Sequence, residues 1–283
     1  MKLARPLACA AVALAAAGCG STSSGSGVNA PKIGAARTFQ LQGFQPARPV
    51  APRTRTDVSF DIQQPSGQPL TAYKTGSGPH TGVHLILVRD DLSKIIHLHP
   101  PIGADGKINQ AVSFPSPGPW KVLVDAYPRS ATTPNFQLFD NVDVTGQYVP
   151  KKLPGFSNSI DVHGYHFKLH GTPHINAIQA KFLNFTITDP QGRPVTFTPW
   201  FGAIAHAIFF RAGSLDYFHT HVCGAAAPNC ASLAGQPRIT GHSTTPGHLT
   251  VGVLLPTSGT WRLFLQCKVN GHVLTAPFTL QVK

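Results

Sequence analysis

The stretch HLILVRDDLSKIIHLH, residues 84–99, reads as two β-strands joined by a tight turn, and it carries three histidines. An echo follows 122 residues later, HAIFFRAGSLDYFHTH, residues 206–221. Both copies obey one spacing: a histidine, twelve residues, a histidine, one residue, a histidine. A four-residue turn over Arg89 to Leu92 would set Val88 opposite Ser93, Ile86 opposite Ile95 and His84 opposite His97. Directly paired residues share a face of the sheet, with Cβ atoms ~4.5–5.5 Å apart. Residues two apart on a strand point the same way. His84, His97 and His99 are therefore expected on one patch of one face. His206, His219 and His221 should form the matching patch in the second copy.

Other landmarks recur in the same order. FQLQG (39–43) answers FKLHG (167–171), and FDIQQPSGQPL (60–70) answers FTITDPQGRPV (185–195). GPWKVLV (118–124) answers GTWRLFL (259–265). The chain is a tandem duplication of a module of roughly 110–125 residues. Each module reads as short strands separated by turn signals: Val58–Ile62, Val83–Val88, Ile95–His99, Ile108–Phe114, Trp120–Ala126 and Phe136–Val144 in the first. No stretch keeps a helical period. The expected fold class is all-β, with two tandem immunoglobulin-like antiparallel β-sandwich modules after a signal peptide and a flexible linker. The first module spans residues 37–146 and the second 158–283, joined by a linker over 147–157. The first module contains no cysteine, so the immunoglobulin-type disulfide is absent from it.

Composition bounds the function. The 283 residues hold 26 prolines and 27 glycines, are 42% hydrophobic and only 12% charged, and carry a net charge of +12. The basic residues are dispersed, without a Lys/Arg run or interleaved aromatics, so nucleic acid is not an expected partner. Residues 1–18 read as a signal peptide: Lys2 and Arg5 precede an Ala/Leu-rich stretch too short to span a bilayer. Ala16-Ala17-Gly18-Cys19 resembles a lipobox, so Cys19 is expected to be lipidated, followed by a Gly/Ser linker to residue 36. The expected location is extracytoplasmic, with the chain held to the cell membrane by its N-terminal lipid; plain secretion is the alternative. The second module has an insertion of about nineteen residues containing Cys223 and Cys230, which are expected to form a loop disulfide. Cys267 is left over as a buried thiol, a metal ligand or an alternative disulfide partner.

Three imidazoles on one sheet face suit a divalent transition metal, whose nitrogen ligands sit ~2.0–2.1 Å away. The chain has a single Met, at position 1, which removes thioether sites for Cu(I). An imidazole-only patch fits Cu(II), Zn(II) or Ni(II), and copper or zinc is the expected ligand. No general base stands beside both triads and no nucleophile motif is present, so the chain is not expected to be an enzyme. Two other readings stay open: a non-catalytic envelope interaction module whose histidines are structural, and a metal-dependent enzyme. His80 is a fourth-ligand candidate for the first triad, and His242 or His248 for the second. His163, His166, His170 and His174 form a further candidate site or inter-module contact.

The segments GVHLILVRDDLSKIIHLHP (82–100) and PGPWKVLVDAYP (117–128) resemble the YtkA-like domains of bacterial exported proteins. WFGAIAHAIFFRAGSLDYFHTHV (200–222) and WRLFLQCKVNGHVLTAPFTLQV (261–282) are similar to the partner module found downstream in the same actinobacterial proteins. The resemblance covers most of residues 37–283. It implies Ig-like sandwiches, an envelope location and a heavy-metal connection that is often copper. The expected partners are a metal ion, the membrane through the lipid anchor, and another envelope protein. It touches His84, His97, His99, His206, His219 and His221. The departures are Val222, where the motif has Pro, and the cysteine-bearing insertion after it.

Overall fold

In the computed structural model, which describes residues 38–130, 132–214, 216–230 and 239–283, strands are the only regular elements. The expected signal peptide, the expected lipidation site Cys19 and the Gly/Ser linker lie outside the described residues. The first module contains β1 (Gln40–Gln45), β2 (Arg55–Gln63), β3 (Val83–Arg89), β4 (Ile95–Leu98), β5 (Ile108–Ser113), β6 (Gly118–Ala126) and β7 (Phe136–Val144). They form two antiparallel sheets, β1-β2-β5 and β4-β3-β6-β7. The alternation in β2 sends Val58, Phe60 and Ile62 inward, against Leu85 and Leu87 of β3 and Trp120, Val122 and Val124 of β6. This is an immunoglobulin-like sandwich.

The second module contains β8 (Ser159–Val162), β9 (Tyr165–Leu169), β10 (Lys181–Thr188), β11 (Ala205–Arg211) and β12 (Tyr217–Cys223). After these come β13 (Gly241–His242), β14 (His248–Val253), β15 (Gly259–Val269) and β16 (His272–Val282). It repeats the plan around its own core, which includes Phe167, Phe185, Phe209, Trp261 and Phe278. The two buried tryptophans are equivalent down to their hydrogen bonds: each indole N–H donates to a carbonyl four residues earlier, Ser116 at 3.1 Å and Thr257 at 3.0 Å. One difference comes from the insertion. Its short strand β13 pairs in parallel with β12 and antiparallel with β14, joining the two halves of the sandwich into one continuous sheet. The Cys223–Cys230 disulfide closes the loop that follows β12.

The sheets carrying β3 and β11 pack against each other. Along β3 every residue is buried, Leu85 and Leu87 in the sandwich, Ile86 and Val88 in a separate apolar cluster between the modules. That cluster unites Ile86, Val88, Leu92 and Leu123 with Ile208, Phe210 and Phe264. Strands covered on both faces read as unbroken apolar runs, which is why Val83–Val88 and Ala207–Phe210 do not alternate. The segment between the modules is strapped to this seam. Leu153 packs on the cluster, the Lys151 N–H donates to Asp91 Oδ2 at 2.8 Å, and Arg89 lies 4.7 Å from the centre of the Tyr148 ring.

The hairpin register differs from the expected one. Val88 pairs with Ile95, Ile86 with His97 and Leu85 with Leu98, so the turn is longer by two residues. Asp91 causes this. Its carboxylate takes the N–H and hydroxyl of Ser93 and the Arg89 guanidinium, and Leu92 is turned into the inter-module seam at a φ of +55°. The second hairpin shows the same offset, with His206 opposite His221 and Ile208 opposite His219. A shift of two keeps parity, so the histidines stay on the face expected of them.

Candidate metal centre

That face is the one each module turns toward the other. The six histidines therefore form one cluster at the seam between the modules, not one patch in each. His84 of β3 and His206 of β11 are fully inaccessible, and His97 and His221 nearly so. His84 Nδ1 lies 3.3 Å from His219 Nδ1 across the seam, and His206 Nδ1 lies 3.3 Å from His219 Nε2. The rings of His97 and His206, again from different modules, are 5.0 Å apart.

Two sets of three nitrogens lie close enough to hold an ion: His84, His97 and His219, and His206, His219 and His221. The second is the triad expected from the sequence. The first is not, because it takes its third member from the other module and leaves out His99. The reason is Phe201, on which the His99 ring stacks at 3.9 Å and 10°. His80 joins the cluster at its rim, its ring edge-on to His221 at 4.6 Å. It also lines an open cleft of about 410 Å³ together with Lys74, Thr81 and Arg129, so it stands between solvent and the cluster.

The surroundings fix each ring. His84 Nε2–H donates to the Pro79 carbonyl at 2.6 Å, and His206 Nε2–H donates to the Trp200 carbonyl at 2.9 Å. His97 Nδ1–H donates to Gln266 Oε1 at 3.1 Å, and the Gln266 amide donates onward to Thr275 Oγ1 at 3.0 Å. A carbonyl oxygen can only accept, so these contacts set the tautomers and leave a lone pair on the opposite nitrogen. Outer partners of this kind orient ligating histidines at metal sites. The Pro79 and Trp200 carbonyls sit on two turns that touch. A Cβ on Gly202 would lie 2.4 Å from the Ser77 carbonyl oxygen, and the residue has a φ of +75°, so only glycine permits the approach. Among the described residues His97 Nε2, His99 Nε2, His221 Nε2 and His80 Nδ1 are buried without a hydrogen-bond partner. Four orphaned nitrogens in one cluster are costly unless something binds them.

Burial is the largest influence on the protonation of every ring; neighbouring histidines add to it for all but His84, where the Pro79 carbonyl works the other way. His80 and His84 are lowered to about 4 and His206 to about 3, while His97, His99, His219 and His221 also fall well below the usual imidazole value. The cluster is thus neutral, the form in which imidazole ligates, at pH 7. Asp125, opposite His84 on β6, is the one carboxylate beside it among the described residues, at 3.9 Å from His84 Nδ1. It accepts from Tyr127 and Gln137, and burial pushes it up to about 6.

Gln266 was visible in the sequence only as the counterpart of Asp125 in the repeat. Its role is to orient a histidine of the other module. For a metal held in this cluster, Gln266→Leu is expected to weaken affinity about 10–100-fold. The fold should be kept, as checked by competition with a chelating dye.

The remaining candidates lie elsewhere. His163, His166, His170, His174, His242, His248 and His272 are all exposed, and none belongs to either set of three. His166 pairs with Asp161, and His170 Nε2 lies 3.1 Å from Thr186 Oγ1. Cys267 is a free thiol inside the second core, pushed up to about 12 by burial, which suits packing and not ligation.

Residues 160–283 match a family model described as a domain of unknown function, DUF8832. Comparison with the curated proteins finds no matching sequence. Among solved structures, the chain is similar to a chimeric titin Z1Z2 at 10% identity and TM-score 0.24, covering 88% of this chain and 98% of that one. It is similar to the bacterial integrin-binding protein invasin at 15% identity and TM-score 0.21, covering 87% and 38%. A putative membrane anchored protein from Corynebacterium diphtheriae matches at 8% identity and TM-score 0.25, covering 86% and 57%.

Proposed function

We propose that this protein binds a divalent transition metal, copper or zinc, in the histidine cluster between its modules. It acts as a non-catalytic buffer or carrier of that metal at the cell envelope. The observation that carries this reading is the set of buried nitrogens. The lone pairs of His84 and His206 are turned inward by hydrogen bonds on the far side of each ring, and His97 Nε2 and His221 Nε2 are buried with no partner among the described residues. An interior polar cluster built for packing alone would satisfy these atoms. The resemblance of the first module to YtkA-like domains supports the envelope role. So do the lipobox-like Cys19 and the linker behind it, which would hold the modules off the membrane. The cleft at His80 offers the ion a way in, and the described residues contain no thioether, which favours a divalent ion.

The test is metal analysis and thermal unfolding of untagged protein. At a hundredfold excess of metal over Kd, binding to the native state adds about 2.7 kcal/mol, a rise of about 5–10 °C in Tm for a chain of this size. The double variant His97→Ala/His221→Ala, with one member of each set removed, should lose the rise. His242→Ala/His248→Ala, on the exposed insertion, should keep it. No bound metal and no shift with Cu(II) or Zn(II) would leave the histidines as a structural feature of an interaction module.

A further inference from the structure

The two sets of possible ligands share one residue, His219. Its two ring nitrogens face different partners, Nδ1 toward His84 of the first module and Nε2 toward His206 of the second, each at 3.3 Å. Two nitrogens bound to one tetrahedral ion at ~2.0–2.1 Å are ~3.3–3.4 Å apart. Both edges of His219 therefore already stand at the separation of two ligands on a common ion. The two nitrogens of one imidazole point away from each other, so a single ion cannot take both.

Counting protons leads to the same place. His84 and His206 each spend their only N–H on a carbonyl, so the nitrogens they turn to His219 are lone pairs. A neutral His219 has one N–H and can satisfy one of the two contacts. The other then sets lone pair against lone pair at 3.3 Å. A cation in each gap removes the conflict. The third member of each set is in place, His97 in one and His221 in the other, each with an unpartnered buried Nε2.

We infer that the cluster is a dinuclear centre. One divalent ion is held by His84, His97 and His219 and a second by His206, His221 and His219, with His219 bridging them as an imidazolate. This rests on the metal-binding reading above and extends it. Binding of the second ion breaks the remaining N–H bond of His219, forms a metal–nitrogen bond in its place and releases one proton to solvent. The negative imidazolate lowers the charge that two buried cations would otherwise concentrate. The Asp125 carboxylate, beside His84, contributes on the first side.

Titration of the untagged protein with Cu(II), read by metal analysis and by electron paramagnetic resonance, tests this. Two equivalents are expected. Two Cu(II) ions joined by an imidazolate couple antiferromagnetically, so the integrated spin count should fall far below the copper count once the second equivalent is bound. In His219→Gln the copper that still binds should show its full spin count. One equivalent, or two with undiminished spin, would overturn the bridge and leave the metal-binding reading standing. Binding of neither Cu(II) nor Zn(II) would remove both. The spin count of the unaltered protein decides by itself if the variant does not fold.

Discussion

Brought from pH 7 to pH 5 without metal, the protein should lose its tertiary structure in one steep transition. Seven histidines are held neutral by burial in the cluster: His80, His84, His97, His99, His206, His219 and His221. In the unfolded chain each titrates near 6.5. Between that pH and their folded values, about 4 for His80 and His84 and about 3 for His206, the unfolded state binds more protons. Stability therefore falls as the pH falls through this window and is fully present above it. Each group contributes ~1.4 kcal/mol per pH unit. Even half of them acting independently gives about 5 kcal/mol per unit, against a total stability of ~5–15 kcal/mol for an ordinary protein. Asp125, raised to about 6, works in the opposite direction, but it is one group against seven. Tryptophan fluorescence against pH at fixed urea reads the transition directly. An unchanged urea midpoint at pH 7 and pH 4.5 would show that the cluster does not resist protonation. Saturating Zn(II) should protect at pH 6, because bound metal competes with protons for the same lone pairs.

The second large effect is expected at Phe210, which is 1% exposed and lies wholly in the inter-module cluster. Removing a buried phenylalanine side chain costs ~3–5 kcal/mol. In Phe210→Ala that loss falls on the seam and not on either sandwich core. The variant should therefore unfold in two separated thermal transitions, where the parent shows one. It should also bind metal more weakly, because the set His84, His97 and His219 takes members from both modules and depends on their docking. A single transition with unaltered metal affinity would mean that the modules are held together by something other than this cluster.

Much of the architecture could be read in advance from particular residues. The alternation of Val58, Phe60 and Ile62, the turns at Pro65–Pro69 and Asp105-Gly106, and the repeated Trp120 and Trp261 strands fixed the elements and the duplication. The two-residue spacing of His97 and His99 gave the correct face. The register was missed because both turns are two residues longer than expected, the first held by the side-chain hydrogen bonds of Asp91 and the second passing through Gly213 at a positive φ, and hydrophobic pattern records neither. The merging of two patches into one cluster was missed because a period of two says which face a side chain takes, not what covers that face. The signal lay in the apolar runs of β3 and β11. A strand with water on its second face would have alternated. The carbonyls of Pro79 and Trp200 carry no sequence signature at all, since any residue supplies one; the positive φ of Gly202 is the single trace of the turns that present them. Val222, the departure from the HLHP pattern, is simply a fully buried residue of the second core.

The seam has an internal symmetry. Ile86, Val88 and Leu123 share one cluster with Ile208, Phe210 and Phe264, which are their counterparts in the repeat. An interface that joins a surface to its own copy is what a two-fold homodimer makes. A single-module ancestor with this face would have been a symmetric pair of chains with every histidine of the cluster present twice. Fusion of the two copies freed them to diverge, and they have: Asp125 stands beside His84 where Gln266 stands beside His206. The duplicated gene thus acquired what a homodimer cannot encode, two halves of one centre with different charge.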